Sequence, residues 1–347
     1  MKNSFYFLLV TLILVGCKND GPQIVNTTGS GATVSTLAGS INGYADGVGA
    51  AAMFASPQGI TVDFNGNIYV ADKFNQKIRK VTSTGTVTTL AGSSAGYVNG
   101  LGSNAKFNYP SGVTVDALGN IYVADTENHS IRKVTSAGSV TTLAGGTAGN
   151  VDGTGANASF NFPQGLVVDP GGNVYVADTE NFRIRKITAA GVVTTFAGST
   201  EGFTDGTGTG AQFTFPTSIA IDASGALYVT DAYKIRKITS AGVVTTLAGG
   251  STSGFEDGIG TAARFSNPFG VAVDGSGNVF VTDSDNHKIR KITSSGLVTT
   301  LAGSIPGYLD GEGKAAQFNI PTGIVLNPAQ VIYVAEQTNN KIRKIVQ

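Results

Sequence analysis

Three side chains in this 347-residue chain are scarce and reactive: Cys17, His129 and His287. A single cysteine cannot form an internal disulfide, and Cys17, standing just after an apolar run, reads as a point of attachment and not as a nucleophile. Two imidazoles could join a zinc site only if they met, because zinc ligands stand about 2 Å from the metal. Acid–base pairs are far more numerous. Asp72 and Arg79 recur as Asp125 and Arg132, Asp178 and Arg185, Asp231 and Arg236, Asp283 and Arg290, and Glu336 and Arg343. A reacting substrate needs different groups on its different sides. Copies in one register therefore read as a repeated structural ion pair rather than as catalysis. A second carboxylate recurs before glycine, at Asp46, Asp152, Asp205, Asp257 and Asp310, with Asn99 in the remaining copy. It lacks the Asp-x-Asp-x-Asp-Gly ligand cluster of a calcium loop. It reads instead as an Asx turn capping a short helical turn near Ala52.

These residues are positioned by a repeat. Val-Thr-Thr-Leu-Ala-Gly returns with its fourth residue at Leu37, Leu90, Leu143, Phe196, Leu247 and Leu301, at intervals of 53, 53, 53, 51 and 54 residues. A fixed period of this length signals a repeat architecture. Within one period, residues 59–92 hold four short β-rich runs separated by Asn, Gly and Ser turns, which predicts a four-stranded antiparallel meander. One such sheet cannot cover both of its faces. Six arranged radially can, so the expected fold is an all-β, six-bladed β-propeller over residues 33–347. The last copy stops after its third strand, at Ile342 to Gln347, and the missing fourth phrase stands at Val34 to Gly39. The N-terminal strand is expected to complete the last blade and close the ring, which removes two exposed sheet edges.

The residues before the repeat read as a leader. Lys2 precedes an apolar run from Phe5 to Val15, long enough for a signal peptide and too short to span a bilayer as a helix. Leu14-Val15-Gly16-Cys17 resembles a bacterial lipobox. Residues 1–17 are thus expected to be a lipoprotein signal ending at a lipidated Cys17, and 18–32 a polar tether. Lys18, rather than Asp, follows the cysteine, which favours the outer membrane, and Lys18-Asn19-Asp20 loosely matches a surface-export signal.

The repeat resembles the NHL repeat family. The matching residues are Pro-x-Gly, Val-Asp-x-x-Gly-Asn, Tyr-Val-Ala-Asp and Ile-Arg-Lys, with Asn128-His129 and Asn286-His287 keeping the Asn-His pair. The resemblance implies a six-bladed propeller that acts as a binding or sensor module, with a few enzymatic relatives. The chain departs from the pattern in a shortened turn at Asp231-Ala-Tyr-Lys234, in Ser218 for Gly, in Glu336 for Asp, and in Asn327-Pro-Ala-Gln330. Two propeller chemistries are weighed: a lactonase-like metal site in the channel and a histidine-bound zinc as in amidating lyases. The innermost strands, such as Ile60-Thr-Val62 and Val113-Thr-Val115, offer no mid-strand carboxylate. His129 and His287 fall in opposite blades, on turns too far apart to share an ion if strands stand about 4.7 Å apart.

Balanced charge, 23 basic against 23 acidic residues, argues against a nucleic-acid surface. The crossovers between blades run to about 18 residues, longer than a link requires. Each carries a buried-type Phe (Phe54, Phe107, Phe160, Phe213, Phe265, Phe318), read as loop packing. Each also carries an aromatic at Tyr44, Tyr97, Phe203, Phe255 or Tyr308, with Asn150 in the third copy. These five are the candidate contact ring. Blade-to-blade variation falls at Met53, Lys106, Ser159, Gln212, Arg264 and Gln317, and at the residues before each Pro, Ser56, Tyr109, Phe162, Phe215, Asn267 and Ile320. The expected function is a non-catalytic envelope lipoprotein that binds a protein or glycan through the crossover-loop face, without metal or cofactor. The alternatives are a channel-centred metal-dependent hydrolase or lyase, and a structural spacer.

Overall fold

The computed structural model describes residues 31–347; the expected leader and Cys17 lie outside them. Six antiparallel sheets form the blades of a propeller. In blade one the innermost strand is Pro57–Val62, followed outward by Ile68–Asp72, Lys77–Val81 and Thr86–Ala91. Short runs rich in β-branched and aromatic residues build these strands, and Asp63 closes the first hairpin. Its carboxylate accepts the N–H groups of Asn65 and Asn67 at 2.9 and 2.8 Å.

Each blade has five strands rather than the expected four. The fifth is a two-residue piece of the preceding crossover. In blade one it is Gly47–Val48, which pairs with Val87 and Thr86 at the sheet's outer edge. Two residues are too short to leave a periodic signal, which is why the strand is invisible in sequence. Physically it covers edge groups that would otherwise stay open to another chain.

The ring closes as expected. Thr33–Ala38 pairs with Lys341–Val346, setting Val34 against Ile345 and Ser35 against Lys344. Ala32, at the end of the expected tether, is fully buried, and its carbonyl accepts the N–H of Gly313 at 2.7 Å. Gly85 does the same for Gly49 in blade one, so Ala32 occupies the turn between third and fourth strands.

The core lies between blades. Phe54 packs with Ile60, Ile68, Val70 and Val81 of blade one and with Tyr333, Ala335 and Ile342 of blade six. The recurring crossover Phe is 0% exposed in all six copies. Burying such a side chain contributes about 1.5–3 kcal/mol.

Where innermost strands converge, Gly59, Gly112, Gly165, Gly270 and Gly323 stand so close to the next blade that a Cβ would overlap its backbone carbonyl. For Gly112 the obstacle is the carbonyl of Gln164. Gly112→Ala should therefore lower stability by about 1–3 kcal/mol. Gly275→Ala, at a turn with open space around it, should change little. Urea denaturation of the two variants tests this, and equal midpoints would show that the glycine ring is not tight.

Candidate functional site

The face that carries the crossovers is organised around the repeated arginine. Arg79 is fully buried. Its Nη1 donates to Asp72 Oδ2 at 2.6 Å and to the Met53 carbonyl at 3.0 Å. Its Nη2 donates to Asp46 Oδ1 at 2.7 Å and to the Ala45 carbonyl at 2.8 Å. The planar fork thus ties the second and third strands to the crossover loop, using the bidentate geometry that only Arg offers. Burial pushes the Asp72 carboxyl up, while Asn75, the Ala55 N–H and Arg79 pull it back. The sequence reading of Asp46 is corrected here. The helical turn Gly49–Ala51 has no side-chain cap, and Asp46 serves Arg79 and the N–H of Thr89 instead. In blade two, Asn99 Oδ1 takes the same arginine contact, from Arg132 at 2.7 Å. Two of the departures noted in sequence are absorbed: Glu336 still pairs with Arg343 at 2.7 Å, and Asp231, at the shortened turn, with Arg236 at 2.8 Å.

The five candidate ring residues sit on this network. The Arg79 guanidinium lies between Phe54, at 5.1 Å, and Tyr44, at 5.0 Å. Lys77 Nζ stands 4.4 Å from the Tyr44 ring, and the Tyr44 hydroxyl reaches Thr89 Oγ1 at 3.0 Å. Tyr97 lies 4.8 Å from Arg132, Phe255 4.9 Å from Arg290, and Tyr308 5.2 Å from Arg343. Phe203 is 5.2 Å from Lys234 and tilts against Tyr233. Burial draws Lys77, Lys288 and Lys341 below the ordinary lysine range. Tyr44, Tyr97, Phe255 and Tyr308 are 45–51% exposed. Each of the five rests on its own blade, and among the described ring contacts none joins two of them. Several variable crossover residues turn back on their own loop instead: Ser159 Oγ accepts the Val151 N–H, and Gln212 contacts Thr200 and Thr204.

Nearer the axis, the residues before each Pro lead into the innermost strands. Ser56, Tyr109, Phe162, Asn267 and Ile320 adopt left-handed φ between 49° and 55°. Proline disfavours a helical conformation in the residue before it, so a partner must hold them there. For four of the five, all but Asn267, the last residue of the preceding blade's turn does so. Gln76 Oε1 accepts the Tyr109 N–H at 2.6 Å, and Asn340 Oδ1 the Ser56 N–H at 2.9 Å. His129 and His287 perform the same task, their Nδ1 atoms accepting the N–H of Phe162 and Ile320 at 3.2 Å. Phe182 has no acceptor to offer, and the Phe215 N–H turns to Asp231. The histidines are inter-blade latches, a role invisible in sequence because donor and acceptor stand 33 residues apart.

These latches titrate. Burial pulls both imidazoles below their ordinary value of 6.5. A lowered folded value means that the unfolded chain binds the proton first. The histidine contribution is therefore complete above about pH 6.5 and is lost as pH falls through the folded value. Wild type should lose melting temperature on acidification faster than His129→Gln/His287→Asn, whose latches copy Gln76 and Asn340. Parallel melting curves across that window would refute the latch.

The pre-Pro ring also breaks the symmetry. Tyr109, Phe162 and Phe215 place aromatics in three consecutive blades, and Phe74 meets Tyr109 edge-on at 5.6 Å. Blades five, six and one carry Asn267, Ile320 and Ser56. The adjoining hollow, of about 60 Å³, is lined by Ser111, Gln164, Thr217 and Phe269 above Val113 and Leu166. Among the described residues no group of three or more His, Cys, Asp or Glu side chains is placed to hold a metal ion.

Comparison with known proteins identifies the blades. A family model described as NHL repeat matches residues 107–134, 160–187 and 265–292, and one described as Beta-propeller repeat matches 55–71. This chain is an NHL-repeat propeller. Each NHL match starts at a crossover Phe and ends with the third strand, so it takes in the Asp–Arg pair. Among sequence relatives, the chloroplastic protein SUPPRESSOR OF QUENCHING 1 of Arabidopsis thaliana is 30% identical over 317 residues, covering 83% of the NHL-repeat chain and 30% of the relative. NHL repeat-containing protein 2 of Bos taurus is 29% identical over 334 residues, covering 83% and 46%. The chain thus spans less than half of either relative. Among solved structures, an auxiliary nutrient binding protein from Bacteroides thetaiotaomicron VPI-5482 superposes with a TM-score of 0.70 at 17% identity, covering 91% of this chain and 76% of the other. That likeness shows a shared fold.

Proposed function

We propose that this propeller is a non-catalytic binding module, carried on a lipid-anchored envelope protein, which takes a protein or glycan partner on its crossover-loop face. Tyr44, Tyr97, Phe203, Phe255 and Tyr308 form the contact ring. One observation carries the reading: four of these rings, all but Phe203, are half-exposed yet held by cation–π contacts to the buried arginine and, for the tyrosines, by hydroxyl bonds to the neighbouring strand. Aromatic side chains held in place lose little freedom on binding and make strong contact points. The solved nutrient binding protein of the same fold supports a binding role. Lipidation of Cys17 and residence in the outer membrane belong to the same proposal.

The test is affinity capture from the cell envelope with the whole protein and with a variant in which all five rings are replaced by Ala. Each ring in contact should contribute about 1–2 kcal/mol. The variant should therefore release its partner while keeping its fold by circular dichroism. Equal capture by the folded variant would remove the ring from the site.

A further inference from the structure

We infer that the opposite face, formed by the hairpin turns, lies against the bilayer that Cys17 anchors to, with Phe64 and Leu118 seated at the lipid interface. The inference rests on the lipid-anchor reading above and adds an orientation to it.

The exit of the chain sets the orientation. Thr33 stands opposite Val346, where the third strand of blade six ends, and Ala32 fills a hairpin-turn position. The N-terminal segment therefore leaves on the hairpin face at blade six, on the side that packs against blade five, away from the crossover loops. Residues 18–30 can span at most about 45 Å even when fully extended. An anchored Cys17 consequently keeps this face near the membrane.

The hairpin face is apolar on the two blades that follow blade six around the ring. Phe64 and Leu118 are 80% and 85% exposed, more than any other large hydrophobic among the described residues. They belong to the first hairpins of blades one and two, and they flank one hollow with Asp116 and Lys80. Val48 and Leu101, 61% and 59% exposed, stand at the outer edges of the same two blades, as Ile259, 67% exposed, does in blade five. The corresponding hairpins elsewhere carry Pro170-Gly171, Ala223-Ser224, Gly275-Ser276 and Pro328-Ala329. Large exposed side chains gathered on one side mark an interaction surface. Apolar residues beside a lysine, whose stem can lie along lipid while its charge stays in water, suit a bilayer interface. In this pose the aromatic ring of the crossover face points away from the membrane, towards a partner.

The chain has no tryptophan, so a single one reports its own surroundings. Phe64→Trp, Leu118→Trp and, on the crossover face, Phe74→Trp would be made in the full-length lipidated protein. Each would be reconstituted on vesicles of phosphatidylethanolamine and phosphatidylglycerol with brominated acyl chains. The first two should shift their emission to the blue and lose most of its intensity to the bromine, while Phe74→Trp should behave as in water. Vesicle-bound protein with Phe64→Trp and Leu118→Trp both unquenched would overturn the orientation and leave the anchor standing. An unmodified Cys17 by mass spectrometry, with protein that does not float with vesicles, would overturn the anchor and this inference together.

Discussion

Removal of Thr33–Gly39 should cost the propeller most of its stability. This segment is the fourth strand of blade six, paired with Lys341–Val346 on one side and with Gly311–Glu312 on the other. Val34 and Ala38 are 1% and 0% exposed. They belong to two different cores, Val34 with Ile332 and Ile345, Ala38 with Phe54 and Ile60. The deletion therefore weakens both neighbours of blade six and leaves the strand Lys341–Val346 as an open edge. Loss of a buried Val contributes about 1.5–3 kcal/mol, and each ladder hydrogen bond about 1 kcal/mol. The sum exceeds about 5 kcal/mol, comparable with the whole stability of a typical domain. The expected result is a collapsed melting temperature and aggregation through the open edge. A synthetic peptide covering residues 31–39, added in trans, should restore part of the transition. An unchanged melt after deletion would mean that the ring does not depend on this strand.

The second large effect should follow Arg185→Met. In blade three the guanidinium holds Asp178 at 2.7 Å and Asp152 at 2.6 Å, and both Arg185 and Asp178 are fully buried. Methionine fills the volume but leaves Asp178 buried without its counter-charge. Breaking a buried pair in this way costs about 3–5 kcal/mol. Blade three has Asn150 at the ring position, so no half-exposed aromatic is disturbed by the change. Asp152→Asn is the matched control. The Asp152 side chain is 49% exposed, and blade two carries Asn99 at the same place, so the cost should stay under about 1 kcal/mol. Chemical denaturation of both variants measures the difference. Equal losses would show that the outer carboxylate, not the buried one, holds the arginine.

How much was legible follows from these examples. The Asp72–Arg79 pair could be read directly, because its members are diagonal neighbours on adjacent strands of one hairpin, with Val70 opposite Arg79 and Asp72 opposite Lys77. Asp46 could not, since its partners Arg79 and Thr89 lie 33 and 43 residues away and meet it only when the crossover folds over the blade. The five aromatics were visible as a recurring position; that four of them, all but Phe203, would lie half-exposed on a buried guanidinium was not. His129 and His287 looked like turn residues, and only the neighbouring blade reveals what their Nδ1 atoms accept.

By itself, then, the sequence determined the blade and the count of blades. Short β-rich runs, turn residues and a repeat of about 53 positions are local properties, and local chemistry is enough to choose a strand or a hairpin. It also determined the closure, because a displaced copy of the fourth phrase has only one open edge to join. The tertiary structure alone decided the fifth strand, the latches between blades, the uneven aromatic mouth and the face from which the chain departs. Each of these depends on contacts between segments distant in sequence, whose partners are selected by packing geometry and not by residue pattern.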